Sequence, residues 1–312
     1  MEAIIEAHER IKAYIHRTPV LTSSYLNELT GAELFFKCEN FQKVGAFKAR
    51  GATNAVFGLS GEVAKRGVAT HSSGNHAMAL SYAAAMRGIP CTVVMPNNAP
   101  DIKKAAVQGY GGFIVECMPS SKSREHALDM VVKQTGAEFV PPYNDLRVVT
   151  GQATCARELI EDVPELDTIV APIGGGGLIS GTTLACKYMS PDIDVIAAEP
   201  EQADDAYRSF KSNTLITDDA PVTVADGLKV SLKEITWHFV SHYVTNVQTA
   251  SEAEIIDAMK LTWQRMKIVI EASCAVPLAV ILKNPDTYRG KRIGVIITGG
   301  NVDLDTLPWL KT

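Results

Sequence analysis

The sequence lacks the features that indicate disulfide bonds, a cysteine-rich metal site or a membrane segment. Its six cysteines are far apart, and no Cys-x-x-Cys pair occurs, so we expect reduced thiols in the core. No stretch approaches the roughly 18 consecutive apolar residues that a transmembrane helix requires. The N-terminal segment also has no apolar signal core. We therefore expect a cytoplasmic protein.

The chain also lacks a strong excess of charge of either sign. Its formal net charge is −5 over 312 residues, with 46% hydrophobic and 21% charged residues, which is ordinary for a globular protein. Such a balance provides no basic surface for nucleic acid or an anionic membrane. We expect a small-molecule ligand and neither of those partners. The length allows two lobes or one large α/β domain.

Short β-branched runs alternate with segments of helical period along the chain, the pattern typical of βαβ units and a parallel sheet. The predicted strands are residues 31–40, 67–70, 91–96, 113–117, 168–173, 194–200 and 292–301, and the predicted helices are residues 76–88, 101–111, 123–136, 153–162 and 174–189. We predict an α/β fold of two open lobes. The large domain would comprise residues 1–58 and 147–312, and the small domain residues 59–146.

Four consecutive glycines, residues 174–177, follow a predicted strand and open a predicted helix. Their amides can approach an anion closely at the positive end of the helix dipole, which predicts a phosphate site. The dinucleotide motif G-x-G-x-x-G fails here, because Ile179 or Ser180 stands at its sixth position. Glu199, however, lies about where an acidic residue binds a ribose in dinucleotide folds. The loop alone leaves a nucleotide and another phosphorylated cofactor both open.

Three further segments carry polar groups beside glycines. Lys48 lies in "VGAFKARG", "HSSGNHAM" covers residues 71–78, and "TGGN" covers residues 298–301. Alone, Lys48 is most simply a surface charge, and the second segment is most simply a serine helix cap with a buried histidine. Together with the glycine run they resemble the site motifs of the fold-type II pyridoxal phosphate enzymes. Within that tryptophan synthase β-like group, they resemble the serine racemase and threonine dehydratase branch.

The resemblance extends over nearly the whole chain, in sequence order. It implies two open twisted α/β lobes, the small one mobile, with pyridoxal 5′-phosphate in the cleft between them. Lys48 would form a Schiff base with the cofactor, and Thr298 would face its pyridine nitrogen. The residues that the resemblance places around the cofactor are Phe47, Lys48, Asn75, Gly174, Gly175, Gly176, Gly177, Leu178, Glu271 and Thr298.

The reaction implied by the resemblance is the removal of water from a β-hydroxy amino acid, followed by loss of ammonia to give a keto acid. Lys48 would remove the Cα proton, and Ser72, Asn75 and His76 would bind the α-carboxylate. Ser73 matches the second serine of the "SSGNH" motif in serine racemases, where it faces the opposite side of the substrate. It could therefore act as a second proton donor and permit racemisation, or it could be a helix cap.

The segment "AAEPEQADDAYRSF" resembles the divalent-cation site of the serine racemase group. Glu199, the carbonyl of Ala203 and Asp205 would supply oxygen ligands, which suit Mg²⁺, Ca²⁺ or Mn²⁺. This interpretation competes with Glu199 as a ribose ligand and with a solvated acidic turn.

Arg124, in "SRE", could bind a second substrate carboxylate, or it could be a helix-surface charge. Because of Arg124, and because the chain as a whole resembles the bacterial 3-hydroxyaspartate dehydratases of this branch, we favour 3-hydroxyaspartate as substrate. Serine racemase with serine/threonine dehydratase activity is the alternative. A cofactor- or nucleotide-binding regulator without catalysis is a distant third, and the family resemblance implies a homodimer.

Overall fold

The computed structural model describes residues 1–218 and 221–310. Its α-helices, numbered α1 to α14 in chain order, are Glu2–Ile11, Ser24–Thr30, Lys48–Phe57, Gly61–Lys65, Asn75–Arg87, Asp101–Gly109, Ser121–Thr135, Leu146–Asp162, Gly177–Met189, Asp205–Ser212, Glu234–Tyr243, Glu252–Met266, Val276–Lys283 and Pro285–Tyr288. Its strands, β1 to β10, are Val20–Leu21, Glu33–Cys38, Val68–His71, Cys91–Pro96, Phe113–Cys117, Glu138–Phe139, Thr168–Pro172, Asp194–Pro200, Asn246–Ala250 and Arg292–Ile297.

The strands form two separate sheets, which confirms the predicted α/β class. One has six strands in the order β1-β2-β10-β7-β8-β9, and the other has four in the order β5-β4-β3-β6. All neighbouring strands are parallel except β1 and β2. The segment 31–40 joins the large sheet as predicted, since β2 pairs with β10. The four-stranded sheet falls within the proposed small domain, and the domain boundaries themselves stay a prediction.

The sequence patterns missed some elements. Strands β1 and β6 have only two residues each, too few for any periodicity to show. Strand β9, "NVQTA", is a polar strand at the edge of the large sheet. Helix α8 begins at Leu146, not at residue 153, because Asp145 caps its N-terminus by accepting a hydrogen bond from the Arg147 N–H at 2.7 Å.

The large sheet is covered on both faces, as a parallel sheet requires. Every residue of β7 is buried, and alternate residues of the central strands enter two different apolar clusters. None of the helices in the described part of the chain is long and apolar enough to cross a membrane. In open parallel sheets ligands bind beyond the carboxyl ends of the strands, so the loops after β3, β7 and β10 define where a site is expected.

A buried network of charged side chains connects β2, α3 and α8. Arg50 in α3 is completely buried and makes two bidentate ion pairs, to Glu39 at 2.7 and 2.8 Å and to Glu158 at 2.8 and 2.8 Å. The ammonium of Lys37 lies 2.8 Å from the Glu158 carboxylate. Two cations thus balance two anions in the interior, and the network fixes the helix that begins with Lys48.

We predict that Arg50→Ala lowers the free energy of unfolding by about 3–5 kcal/mol, because it leaves the buried Glu39 carboxylate without a cationic partner and Glu158 with Lys37 alone. Urea unfolding followed by circular dichroism measures this. The matched control is Arg289→Ala, since the Arg289 side chain is 68% exposed and lies 3.9 Å from Asp286. It should cost less than about 1 kcal/mol. Equal effects of the two substitutions would contradict the structural role of the network.

Candidate active site between the two sheets

The loop after β10 fixes the start of α3. The Phe47 N–H donates to the Thr298 carbonyl at 2.9 Å, and the Gly300 N–H donates to the Gly45 carbonyl at 2.9 Å. An antiparallel bridge between Ala46 and Gly299 lies between these two hydrogen bonds. Lys48, the first residue of α3, is therefore held directly beside the carboxyl end of β10.

Val44, at the entrance to this loop, has a strained backbone. Its φ of 55° lies in the left-handed region, which is unfavourable for a β-branched residue. The conformation is maintained because the Val44 carbonyl accepts a hydrogen bond at 2.8 Å from the Asn301 side chain. Strain of this kind concentrates at functional sites, which agrees with the position of Val44 four residues before Lys48.

The Lys48 amine has an unusual environment for a lysine. Its Nζ donates to the Pro142 carbonyl at 2.7 Å. Burial lowers the pKa of Lys48 to about 8, although the negative charge of Glu271 opposes the shift. A larger fraction of this amine is therefore unprotonated at neutral pH than in a solvated lysine. Such an amine can act as a nucleophile or as a base.

Glu271 and Asn75 meet in front of the same loop. The Asn75 Nδ2 donates to both carboxylate oxygens of Glu271, at 3.0 and 3.1 Å. Asn301 Nδ2 in turn donates to Asn75 Oδ1 at 3.0 Å. Burial and the charge of Asp226 raise the pKa of Glu271 to about 7. The structure thus brings together Asn75 and Glu271, two of the residues expected around the cofactor, and adds Asn301, which the "TGGN" motif contained but the sequence analysis did not select.

Thr298 presents a neutral hydroxyl at the end of β10. It is buried, and its Oγ1 lies 3.1 Å from the Cys274 sulfur. Burial raises the pKa of the Cys274 thiol, so this neighbour is uncharged. The charge of Glu271 also contributes to that shift. The pair at this position therefore consists of a hydroxyl and a thiol.

The glycine loop between β7 and α9 is packed too tightly for side chains. A Cβ on Gly175 would overlap the Tyr143 ring, and one on Gly177 would lie 2.8 Å from the Tyr143 Cβ. Gly176 has a φ of 81°, and its Cβ would lie 2.5 Å from Leu232. Tyr143 and Leu232 were not found from the sequence, because nothing local to them indicates contact with a glycine loop.

The amides of this loop are the strongest sign of a ligand. Residues 174–178 are buried, yet their N–H groups donate to no acceptor within the residues that the structure describes. Buried N–H groups without partners are rare in proteins, and these five lie at the positive end of α9. They fit an anion of the size of a phosphate group.

The loop before α5 contains the predicted substrate residues. Ser72 Oγ accepts from the Gly74 N–H at 3.3 Å, and Ser73 makes no hydrogen bond through its side chain to the described residues. The His76 Nε2 lies 2.9 Å from the Val140 carbonyl, so that nitrogen carries the proton. Burial, with the nearby positive charge of Lys48, lowers the pKa of His76 to about 3.

The neutral imidazole of His76 is therefore already engaged and offers no positive charge to a carboxylate. This limits the predicted role of His76 in substrate binding to its backbone N–H. That group and the Asn75 N–H lie in the first turn of α5, where helix amides have no intrahelical acceptor.

Arg124 lies on α7, half-buried, and its guanidinium donates to Ser121 Oγ at 3.2 Å. Its positive charge adds to burial in lowering the pKa of His71. His71 ends β3 and directly precedes Ser72. The structure thus places Arg124 within electrostatic reach of the predicted substrate loop, although no contact to Ser72, Asn75 or Lys48 is made.

Glu199 and Asp205 lie together at the start of α10. The Glu199 carboxylate accepts from the N–H groups of Ala206 at 3.0 Å and Tyr207 at 2.7 Å. Asp205 Oδ2 is buried and has no partner among the described residues. Burial raises the pKa of both carboxyl groups, and the charge of Asp205 also contributes to the shift of Glu199. In residues 1–218 and 221–310, no group of three or more histidine, cysteine, aspartate or glutamate side chains is arranged for a metal ion.

Comparison with known proteins identifies relatives over the whole of this architecture. The family model described as "Pyridoxal-phosphate dependent enzyme" matches residues 11–299. A β-hydroxyaspartate dehydratase of Paracoccus denitrificans is 66% identical over 308 residues, which are 99% of this chain and 98% of the relative. A serine racemase of Arabidopsis thaliana is 50% identical, covering 98% of this chain and 94% of its own. The structure of maize serine racemase superposes with a TM-score of 0.96 at 45% identity, covering 99% of this chain and 95% of that one.

We predict that Gly175→Ala weakens the binding of pyridoxal 5′-phosphate at least about tenfold, because the added methyl group displaces Tyr143 or the loop amides. Titration of the apoprotein, followed by the absorbance of the bound cofactor, measures this. Gly61→Ala is the control, because no atom lies within 4 Å of a Cβ at Gly61. Unchanged cofactor affinity in Gly175→Ala would contradict the assignment of the loop amides as the phosphate site.

Proposed function

The chain belongs to the family of pyridoxal-phosphate dependent enzymes, and from that premise we propose that it is a 3-hydroxyaspartate dehydratase. The reaction would remove water from the substrate to give iminosuccinate, which water converts to oxaloacetate and ammonia. The observation that carries this proposal is the likeness, over almost the full length, to the Paracoccus enzyme named β-hydroxyaspartate dehydratase. Arg124 beside the substrate loop supports a substrate with a second carboxylate.

Pyridoxal 5′-phosphate fits the groups that the structure leaves available. Bound there, the cofactor supplies an electron sink that acidifies the Cα–H bond of an amino acid. Lys48 would hold its aldehyde carbon covalently, the N–H groups of residues 174–178 would hold the phosphate, and Thr298 would face the ring nitrogen. The other residues proposed to surround it are Phe47, Asn75 and Glu271.

Substrate orientation would come from the start of α5. The hydroxyl of Ser72 and the N–H groups of Asn75 and His76 would bind the α-carboxylate, aided by the helix dipole. Fixing the carboxylate in this way orients the Cα–H bond towards Lys48, and such positioning contributes several kcal/mol to catalysis.

Proton transfer would depend on Lys48. Once released from the cofactor, the Lys48 amine, with a pKa of about 8, would take the Cα proton at neutral pH without a large energetic penalty. The bond between the β-carbon and its oxygen would then break, and the hydroxyl would leave together with one proton as water, which balances the proton taken from Cα. Ser73, whose hydroxyl makes no hydrogen bond to the described chain, is proposed to serve the opposite face of Cα.

The alternative function is serine racemase with serine/threonine dehydratase activity. It is favoured by the pair Ser72-Ser73 and by the relatives named serine racemase. The two functions share the same proton chemistry and differ in recognition of the substrate side chain. A regulator without catalysis is less well supported, because it has no need of an amine with a lowered pKa.

We further propose a divalent cation, Mg²⁺ or else Ca²⁺ or Mn²⁺, at Glu199, Asp205 and the carbonyl of Ala203. The observation in favour is that the carboxyl groups of Glu199 and Asp205 are adjacent and buried and have raised pKa values. In addition, Asp205 Oδ2 has no partner among the described residues. A hard cation with oxygen ligands would neutralise them. Burial and the charge of Asp205 also raise the pKa of Tyr143, so the cation would lie near the residue that packs on the glycine loop. A homodimer and a cytoplasmic location stay proposals that rest on the resemblance and the sequence.

We predict that a stereoisomer of 3-hydroxyaspartate exceeds L-serine, D-serine and L-threonine in kcat/KM by about a hundredfold, or about 2.7 kcal/mol of transition-state discrimination. Release of keto acid measures elimination, and chiral chromatography of serine measures racemisation. Lys48→Ala should abolish both, whereas Lys65→Ala, with a side chain that is 79% exposed, should change neither. A higher kcat/KM for serine or threonine would support the alternative function.

We predict that Mg²⁺ raises the melting temperature of the enzyme and that Asp205→Ala removes this effect, because the cation then loses a charged ligand. Differential scanning fluorimetry with Mg²⁺ or with a chelator measures the response. Asp286→Ala, at a side chain that is 98% exposed, should keep it. If Asp205→Ala responds to Mg²⁺ as the unchanged protein does, these carboxylates do not bind the cation.

A further inference from the structure

We infer that Cys274 is a positioning residue whose thiol directs the Thr298 hydroxyl, so that Thr298 donates its proton to the ring nitrogen of the cofactor. The inference rests on the proposed function, which places Thr298 at that nitrogen, and it adds a residue that neither the motifs nor the resemblance assigned. Cys274 would act through Thr298 alone, without touching the cofactor or the substrate.

Cys274 is held in a short turn beside the end of β10. Its N–H donates to the Glu271 carbonyl at 3.0 Å, and the neighbouring Ser273 Oγ accepts from the Gly227 N–H at 3.1 Å. Cys274 is also completely buried. Its sulfur therefore has little freedom to move, and the fold fixes its distances to the residues that follow β10.

The Cys274 sulfur contacts three polar groups directly after β10. It lies 3.1 Å from Thr298 Oγ1 and 2.9 Å from the Gly299 carbonyl oxygen, and it accepts from the Gly299 N–H at 3.0 Å. Among the described residues, the Thr298 hydroxyl has no other hydrogen-bond partner. Because threonine is β-branched, its hydroxyl has few allowed directions. The thiol is thus the group of the described chain that selects between those directions.

The single proton of the thiol is available to Thr298. Burial and the charge of Glu271 raise the pKa of Cys274, so the thiol is protonated. The Gly299 carbonyl, the other acceptor beside the sulfur, already accepts from the Glu271 N–H at 3.1 Å. A thiol that donates to Thr298 Oγ1 leaves the hydroxyl proton free to point at a pyridine nitrogen, which is a better acceptor than sulfur.

The direction of this hydroxyl bears on the reaction. A threonine hydroxyl is too weak an acid to transfer its proton to a pyridine nitrogen, so a nitrogen that accepts from Thr298 stays unprotonated. Such a nitrogen draws less charge from Cα than a protonated one does. The electron pair released when the Cα–H bond breaks is then used to form the bond from Cα to the β-carbon, while the carbon–oxygen bond breaks. This distribution of charge favours elimination.

The first experiment observes the ring nitrogen directly, without substrate. The apoprotein is loaded with pyridoxal 5′-phosphate labelled with ¹⁵N in the ring, because the nitrogen chemical shift reports protonation and hydrogen bonding. Thr298→Ala removes the proposed donor and defines the change that its loss causes. Cys274→Ala should move the signal in the same direction by at least about half as much, since a hydroxyl without its orienting partner donates less well. Cys274→Ser keeps a donor and should keep the original signal.

Cys155→Ala is the matched control, because Cys155 is also completely buried and its sulfur makes no hydrogen bond to the described residues. It should leave the nitrogen signal unchanged. Cys274→Val fills the space of the sulfur without supplying a proton, and it should act as Cys274→Ala does, even if the cavity in the alanine variant prevents folding. Melting temperatures verify that each variant folds.

Two results would overturn the inference. If Thr298→Ala moves the signal but Cys274→Ala and Cys274→Val do not, or if Cys274→Ser moves it as far as they do, the thiol proton does not direct the hydroxyl. If even Thr298→Ala leaves the signal unchanged, Thr298 does not reach the nitrogen, and a role of Cys274 through Thr298 is wrong as well.

A second experiment separates this inference from the proposed function. It measures kcat for keto-acid release with 3-hydroxyaspartate and with L-serine. For the better substrate, Cys274→Ala should lower kcat about two- to tenfold, the range expected for one neutral hydrogen bond, and Cys274→Ser should stay within about twofold. If serine is the better substrate and the nitrogen signal moves as expected, the proposed function fails and the role of Cys274 stands. Equal losses in both variants with an unmoved signal would contradict that role.

Discussion

The hydrogen bond from the Phe47 N–H to the Thr298 carbonyl is the contact on which the rest of the site depends. It joins the first turn of α3 to the end of β10, and so fixes where the Lys48 amine lies. The loop that follows β10 makes further hydrogen bonds to neighbouring segments. Asn301 donates to the Val44 carbonyl and to Asn75 Oδ1. The Gly299 carbonyl accepts from the Glu271 N–H. The strained backbone at Val44 is tolerated because these bonds hold it from several sides.

Burial has opposite consequences at the two sets of charged residues near α3. Arg50 faces two carboxylates in good geometry, so the pKa of its guanidinium is raised despite burial and the helix is anchored. In the cleft, Lys48, Glu271 and His76 have no such complete pairing, and burial shifts the pKa of each towards the neutral form. The Arg50 guanidinium therefore stays ionised. In the cleft, Lys48 and Glu271 can gain or lose a proton near neutral pH, and His76 stays neutral. This contrast is the arrangement that proton-transfer chemistry requires.

The cleft also separates the tasks of cofactor binding and substrate recognition. The buried amides of residues 174–178 and the start of α5 supply uncharged donors, which suit a phosphate and an α-carboxylate. A full positive charge is carried by Arg124 on α7, the helix that packs against β3. A dicarboxylic substrate would satisfy both regions at once, and this is the physical basis for the proposed preference over serine.

The sequence by itself determined the α/β class, most of the central strands and the family, because these depend on local patterns. An apolar run such as β7 is typical of a strand that is buried on both faces of a parallel sheet. A run of four glycines is typical of a loop that is packed too closely for side chains. Only the tertiary structure decided which distant segments meet. The pairing of β2 with β10 brings Lys48 to Thr298, the fold directs the His76 imidazole to Val140, and the start of α11 packs on the glycine loop. Such contacts depend on sheet order and helix packing, and residues hundreds of positions apart leave no local pattern from which they can be read.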